Sequence, residues 1–129
     1  MIIFIADKPS RLNISTNIPL VGTPSYKNFL KWLDKMKIWD DYCIFNSHTE
    51  EEKEFIRNLY NADFVFNRKS IFIALGNNAG KRLDDLKIKH FKLPHPSPRN
   101  RQLNNKKFID DILQKCNNYI LLNVKAHEA

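Results

Sequence analysis

Two cysteines, Cys43 and Cys116, are all the thiols the 129 residues contain. They lie far apart, with no CxxC spacing and no histidine cluster to complete a ligand set, so neither a zinc site nor an iron–sulfur cluster can be argued. No metal and no cofactor is expected. Both thiols read as reduced, and Cys116 falls on the apolar stripe of a helix. No apolar run approaches the roughly 20 residues that span a bilayer. The short apolar start, Ile2 to Ala6, has no basic flank ahead of it, which excludes a secretion signal on this reading and points to a cytoplasmic protein. Internal repeats and low-complexity segments are also absent.

The composition is that of a chain that folds. Apolar residues make up 43% and charged residues 27%, which excludes wholesale disorder. The length suits one domain, residues 1–129, able to bury a core without staples, and a monomer is expected. The charge is unevenly spread. Of the net +7, residues 65–129 carry 13 Lys and Arg against 5 Asp and Glu, leaving the first 64 residues one unit negative. A basic half points to a polyanionic partner through counterion release, although lysine-rich surfaces also serve solubility alone. Richness in Lys, Asn and Ile would suit a low-GC bacterium or its phage.

Strands and helices alternate along the chain. Ile2–Ala6 is a uniformly apolar run of the kind covered on both faces. Thr23 and Pro24 read as N-cap and first residue of a helix with Phe29, Leu30, Leu33 and Met36 inward. Tyr42–Phe45 is a second strand ending at Asn46. Thr49–Glu52 is a capping box opening a helix striped by Phe55, Ile56 and Leu59. Ser70–Leu75 is the strongest strand, and Gly76 breaks it. A short helix from Asn77 to Leu86, a strand from Ile88 to Leu93 and a helix from Asn104 to Cys116 follow, the last with Phe108, Ile109, Ile112 and Leu113 inward. Tyr119–Val124 reads as an edge strand or a buried tail. The expected fold is α/β: a three-layer αβα sandwich around a mainly parallel four-stranded sheet.

In such sheets ligands bind beyond the C-terminal ends of the strands. Asp7-Lys8-Pro9-Ser10, Asn46-Ser47-His48, Gly76-Asn77-Asn78 and Pro94-His95-Pro96-Ser97 each follow a strand, so all four polar clusters should meet on one rim. The last cluster carries the most information. Its prolines restrict the backbone around His95 and Ser97, and Arg99 and Arg101 follow, so the loop suits an anion. Read singly, the same loop is also an ordinary proline-rich turn.

Taken in order, these motifs resemble the uracil-DNA glycosylase superfamily over most of residues 2–104. Ala6-Asp7-Lys8-Pro9-Ser10 resembles its first motif, and Asn17-Ile18-Pro19-Leu20-Val21-Gly22 the segment that follows it. Tyr42-Cys43-Ile44-Phe45-Asn46 is similar to the strand delivering a base-reading asparagine. Ile73–Ala79 resembles the Leu-Gly strand-to-helix transition. His95-Pro96-Ser97-Pro98 matches the histidine-proline-serine loop and is the most specific of the set. Ala6 and Ser10 stand where the family has glycines, Leu20 stands where a related branch stacks an aromatic ring on the flipped base, and the cluster-binding cysteines are missing. The resemblance starts at the first strand, without the helical N-terminal segment of typical members. A small, divergent member is implied.

The resemblance implies a DNA glycosylase that hydrolyses the N-glycosidic bond of uracil or a modified pyrimidine flipped out of DNA. Breaking that bond generates a cationic sugar and an anionic base. Asp7 would orient the attacking water and stabilise the sugar; His95 would donate to the departing base. Asn46, with a donor and an acceptor, matches uracil O4 and N3–H and mismatches the cytosine amino group. Leu20 and Phe45 would complete the base pocket, and Tyr26 or Phe45 could replace the missing stacking ring. Ser10, Ser97, Arg99, Arg101 and Asn77 would hold DNA phosphates. Lys81, Arg82, Lys106 and Lys107 would extend the basic surface or simply form solvated helix faces. Singly, Asp7 is also a loop cap, Asn46 an Asx turn, and Asn77 and Asn78 helix caps. Two other readings stay open: a non-catalytic DNA- or nucleotide-binding relative, and a small-molecule enzyme or partner-binding protein on the same fold.

Overall fold

Every residue of Ile71–Leu75 is buried, and its side chains alternate between two cores, which places this strand at the heart of a sheet covered on both sides. The computed structural model describes residues 1–9, 18–66 and 68–128, with side chains through residue 124. Ser10 and Asn17 therefore lie outside the described residues. The strands are β1 (Ile2–Ala6), β2 (Tyr42–Asn46), β3 (Ile71–Leu75) and β4 (His90–Leu93); the helices are α1 (Pro24–Lys35), α2 (Glu50–Val65), α3 (Asn77–Asp85) and α4 (Lys106–Glu128).

All four strands are parallel, in the order β2-β1-β3-β4. Phe4, Ile71, Ile73, Leu75 and Leu93 face one layer, packed with Phe29, Trp32 and Leu33 of α1 and Ile109, Leu113 and Cys116 of α4. Ile3, Ile5, Phe72 and Ala74 face the other, with Ile56 of α2 and Ala79 and Leu83 of α3. Right-handed crossovers require this division. The β1-to-β2 step runs one way along the sheet, whereas the β2-to-β3 and β3-to-β4 steps run the other, so α1 lies opposite α2 and α3. The expected sandwich is present, and its sheet is wholly parallel. Among the described residues no helix is long and apolar enough to cross a membrane.

Local chemistry accounts for most element boundaries. Thr49 and Glu52 form both halves of the capping box of α2, at 3.1 and 2.8 Å. Thr23 does occupy the N-cap position of α1, but its hydroxyl donates back to the Leu20 carbonyl at 2.6 Å instead of accepting from the helix. Leu30 and Phe55, expected inward, are exposed; Phe55 instead stacks edge-on against Phe45, ring centres 5.0 Å apart. The segment Tyr119–Val124 is neither strand nor tail. It continues α4, because Ile109, Leu113, Cys116, Ile120 and Asn123 repeat at helical spacing and keep one stripe against the sheet.

Candidate active site

β1 and β3 are neighbours whose connections leave in opposite directions, and the crevice above such a switch point is where open α/β sheets take ligands. Asp7 is the first polar side chain beyond the apolar run of β1. The parallel ladder extends one step past the strands there, with the Ser47 N–H donating to the Asp7 carbonyl at 3.0 Å. Ser47 is fully buried, and its hydroxyl donates to the Ala6 carbonyl at 2.7 Å.

Asp7 is held from across the crevice. Asn78 and Arg82 stand four residues apart on α3 and so share one helix face. Asn78 Nδ2 donates to Asp7 Oδ2 at 3.0 Å, and Arg82 Nη1 forms a close ion pair with Oδ1. The same guanidinium nitrogen also lies 3.3 Å from both the Asp7 carbonyl and the Ser47 hydroxyl. Partial burial pushes the Asp7 pKa up, but the hydrogen bonds from Asn78 and Arg82 and the charges of Arg82 and Lys8 outweigh it, so the carboxyl sits below its ordinary value. It is a carboxylate at neutral pH and a weak proton acceptor.

His95 reaches the same crevice from the loop after β4. The Gly76 N–H donates to the Leu93 carbonyl at 2.8 Å, which brings the turn after β3 against this loop. Gly76 has φ +94°, a conformation that favours glycine, and a Cβ built there would press on the imidazole, 3.1 Å from His95 Cβ and 3.3 Å from Cδ2. Asn100 Nδ2 donates to the His95 carbonyl at 3.0 Å and Asn28 Nδ2 to the Pro96 carbonyl at 2.9 Å, while Pro96 is fully buried.

The protonation of His95 follows from its contacts. The Ser97 N–H donates to His95 Nδ1 at 3.0 Å, so in the neutral ring the proton resides on Nε2. Burial pushes the imidazole pKa below its ordinary value, and the nearby Asp7 charge offsets this only in part. At neutral pH the ring is therefore an uncharged Nε2–H donor facing the field of a fixed carboxylate.

Asn46 ends β2 in register with Ala6, one strand away from Asp7. Together with Phe45 it lines a groove of about 420 Å³, with Ile18, Pro19, Glu51 and Phe55 among the other walls, and neither Asp7 nor His95 is part of it. Leu20 packs against the first core layer, with its backbone in the left-handed region at φ +69°. Tyr26 packs on the same layer.

The Ser97 hydroxyl accepts from the Arg99 N–H at 3.2 Å. Arg99 and Arg101 are exposed and form no ion pair among the described residues. Asn77 Oδ1 accepts from Lys92 Nζ at 2.9 Å. Lys81, Lys106 and Lys107 are exposed on their helices.

Four residues of this arrangement escape a reading of the sequence as separate motifs. Arg82 is an ion-pair partner of Asp7 instead of a solvated face, Asn78 is an orienting donor instead of a cap, Ser47 is a buried hydroxyl tied to the Ala6 carbonyl and within reach of Arg82, and Lys92 adds a cation beside Asn77. The 78/82 spacing just after an apolar strand is the one signal that could have singled out the first two. Comparison with curated proteins and with solved structures finds no match. The family model described as the uracil DNA glycosylase superfamily, by contrast, matches residues 1–117. With a match of that extent, the chain belongs to the uracil-DNA glycosylase superfamily.

Proposed function

We propose that the protein is a DNA glycosylase that removes uracil or a modified pyrimidine flipped out of DNA. The observation that carries the reading is the pairing, across one switch point, of an ionised Asp7 with a neutral His95 protonated on Nε2. As the bond between C1′ and the base N1 breaks, the electron pair leaves with the base and spreads onto its O2. The Nε2–H of His95 donates to that oxygen. The sugar becomes cationic at C1′, where the Asp7 carboxylate offsets the charge and orients a water for attack. Once the water oxygen bonds to C1′ it becomes strongly acidic, so even the weakly basic Asp7 takes its proton. The products are the free base and an abasic sugar.

Asn46 supplies base selection, its amide matching uracil O4 and N3–H, with Phe45 as its apolar neighbour in the groove and Leu20 as a further apolar contact to the base. Ser10, Ser97, Arg99, Arg101 and Asn77 supply phosphate contacts, to which Lys92 is added. DNA is the partner on this reading, and the expected signature is a steep loss of affinity with salt.

One observation favours a second reading, a non-catalytic DNA- or nucleotide-binding relative. Arg82 neutralises part of the charge that the sugar cation needs. A labelled single-stranded oligonucleotide containing uracil, treated with protein and then alkali, separates the two. Strand scission by the wild type, reduced at least about a hundredfold in Asp7→Asn and His95→Ala, supports the glycosylase. An intact strand that is nevertheless bound, across a panel of modified pyrimidines, supports the relative.

A further inference from the structure

The opposite edge of the sheet, where the strands begin, holds a second cavity, of about 310 Å³. Ile71 and Phe72, at the start of β3, are buried and line it from the sheet. Tyr60 and Phe64 of α2 and Tyr119 of α4 supply aromatic rings, with Tyr60 edge-on to Phe64 and to Phe72 at 5.4 and 5.9 Å between ring centres. Arg68, Lys69 and Lys89 supply three cations against one carboxylate, Asp63, which is already engaged by the Ser70 N–H at 2.8 Å. Asn123 completes the lining. It is 6% exposed, and its Nδ2 donates to the Tyr119 carbonyl at 2.8 Å.

Rings of this kind take a flat partner by stacking, and cations without a carboxylate partner, Arg68 over the Phe66 ring at 5.3 Å and Lys89 over the Tyr119 ring at 5.9 Å, stay open to an anion. We propose that this cavity binds a nucleotide, its base among Tyr60, Phe64 and Tyr119 and its phosphate toward Arg68 and Lys89. The site is separate from the rim that carries Asp7 and His95. A five-residue strand, about 16 Å long, lies between them. A free mononucleotide and a nucleotide within a single strand present the same chemistry.

Calorimetric titration of the full chain with deoxyadenosine 5′-monophosphate tests the proposal. Saturable binding is expected, weakened at least about tenfold for deoxyadenosine and for inorganic phosphate taken alone, because each lacks one half of the recognition. Arg68→Glu and Lys89→Glu, both at exposed positions and so tolerated by the fold, should each weaken binding by a similar factor, whereas Asp7→Asn should leave it unchanged. An octamer of deoxyadenylate distinguishes the sources. Tighter binding than the monomer, lost in the same two variants, assigns the site to a strand, and equal or weaker binding assigns it to the free nucleotide. Absence of saturable binding overturns the proposal. So does binding that ignores Arg68 and Lys89, binding that disappears in Asp7→Asn, or phosphate binding as tight as the nucleotide's. A failure of uracil excision touches none of these readouts.

Discussion

Asp7 and His95 face one crevice but are fixed by different physics. Asp7 is positioned by charge: its carboxylate is gripped by Asn78 and Arg82 from a helix that follows another strand. His95 is positioned by shape and backbone: a glycine that leaves room for the ring, a buried proline, and amide donors from Asn28 and Asn100 that pin the loop. A charge-held group responds to pH, salt and a competing anion, whereas a shape-held group responds to volume. The crevice thus pairs a shape-held donor with a charge-held carboxylate.

Breaking the shape-held side has the largest expected consequence. His95→Ala should reduce uracil release about a hundred- to a thousandfold with little change in DNA affinity, measured by single-turnover kinetics. Gly76→Ala tests whether shape is the cause. Alanine at positive φ costs about 1–2 kcal/mol, and the added methyl presses on His95, so both the melting temperature and the rate should fall. A variant that melts lower but keeps full rate would show that the ring does not depend on this contact.

The charge-held side should break more gently. Arg82→Ala removes a charged hydrogen bond worth about 1–3 kcal/mol, lowers the melting temperature and lets the Asp7 pKa rise. Because the folded-state pKa of Asp7 is depressed, its stabilisation is present above the ordinary carboxylate value and is lost as pH falls through the folded value. Melting temperatures of the wild type from neutral pH downward should therefore drop more steeply than those of Arg82→Ala. Parallel curves would contradict the grip on Asp7. His95 has the same sign for a different reason. Burial depresses its pKa, so the neutral donor persists below the ordinary histidine value near 6.5, and activity should decline only at pH under that value.

The smallest effect calibrates the rest. Thr49→Ala, which removes half of the capping box on α2, should cost about 1 kcal/mol in urea unfolding.

Much of the fold is legible in the chain because its signals are local. The apolar runs Ile2–Ala6 and Ser70–Leu75 are too uniform for a one-faced sheet, and the capping box at Thr49 is a pattern of four residues. The continuation of α4 is less legible. Asn117 and Asn118 resemble a stop, but the stripe through Ile120 and Asn123 is held by packing against the sheet. At the site, Asp7, Asn46 and His95 stand out as polar residues at strand ends. Their neighbours do not, because Arg82 and Asn78 acquire their roles only from a contact spanning more than 70 positions of chain.

Strand and helix identity, the two-sided burial of the sheet and the presence of a proline-bracketed histidine were determined by the sequence itself, since propensity, periodicity and capping act over a few residues. The tertiary structure alone decided that Arg82 grips Asp7, that the Ser97 N–H sets which nitrogen of His95 carries the proton, and that aromatic rings from α2 and α4 enclose a second cavity. Each depends on distances between segments remote in sequence, and electrostatic and packing energies are set by those distances rather than by residue order.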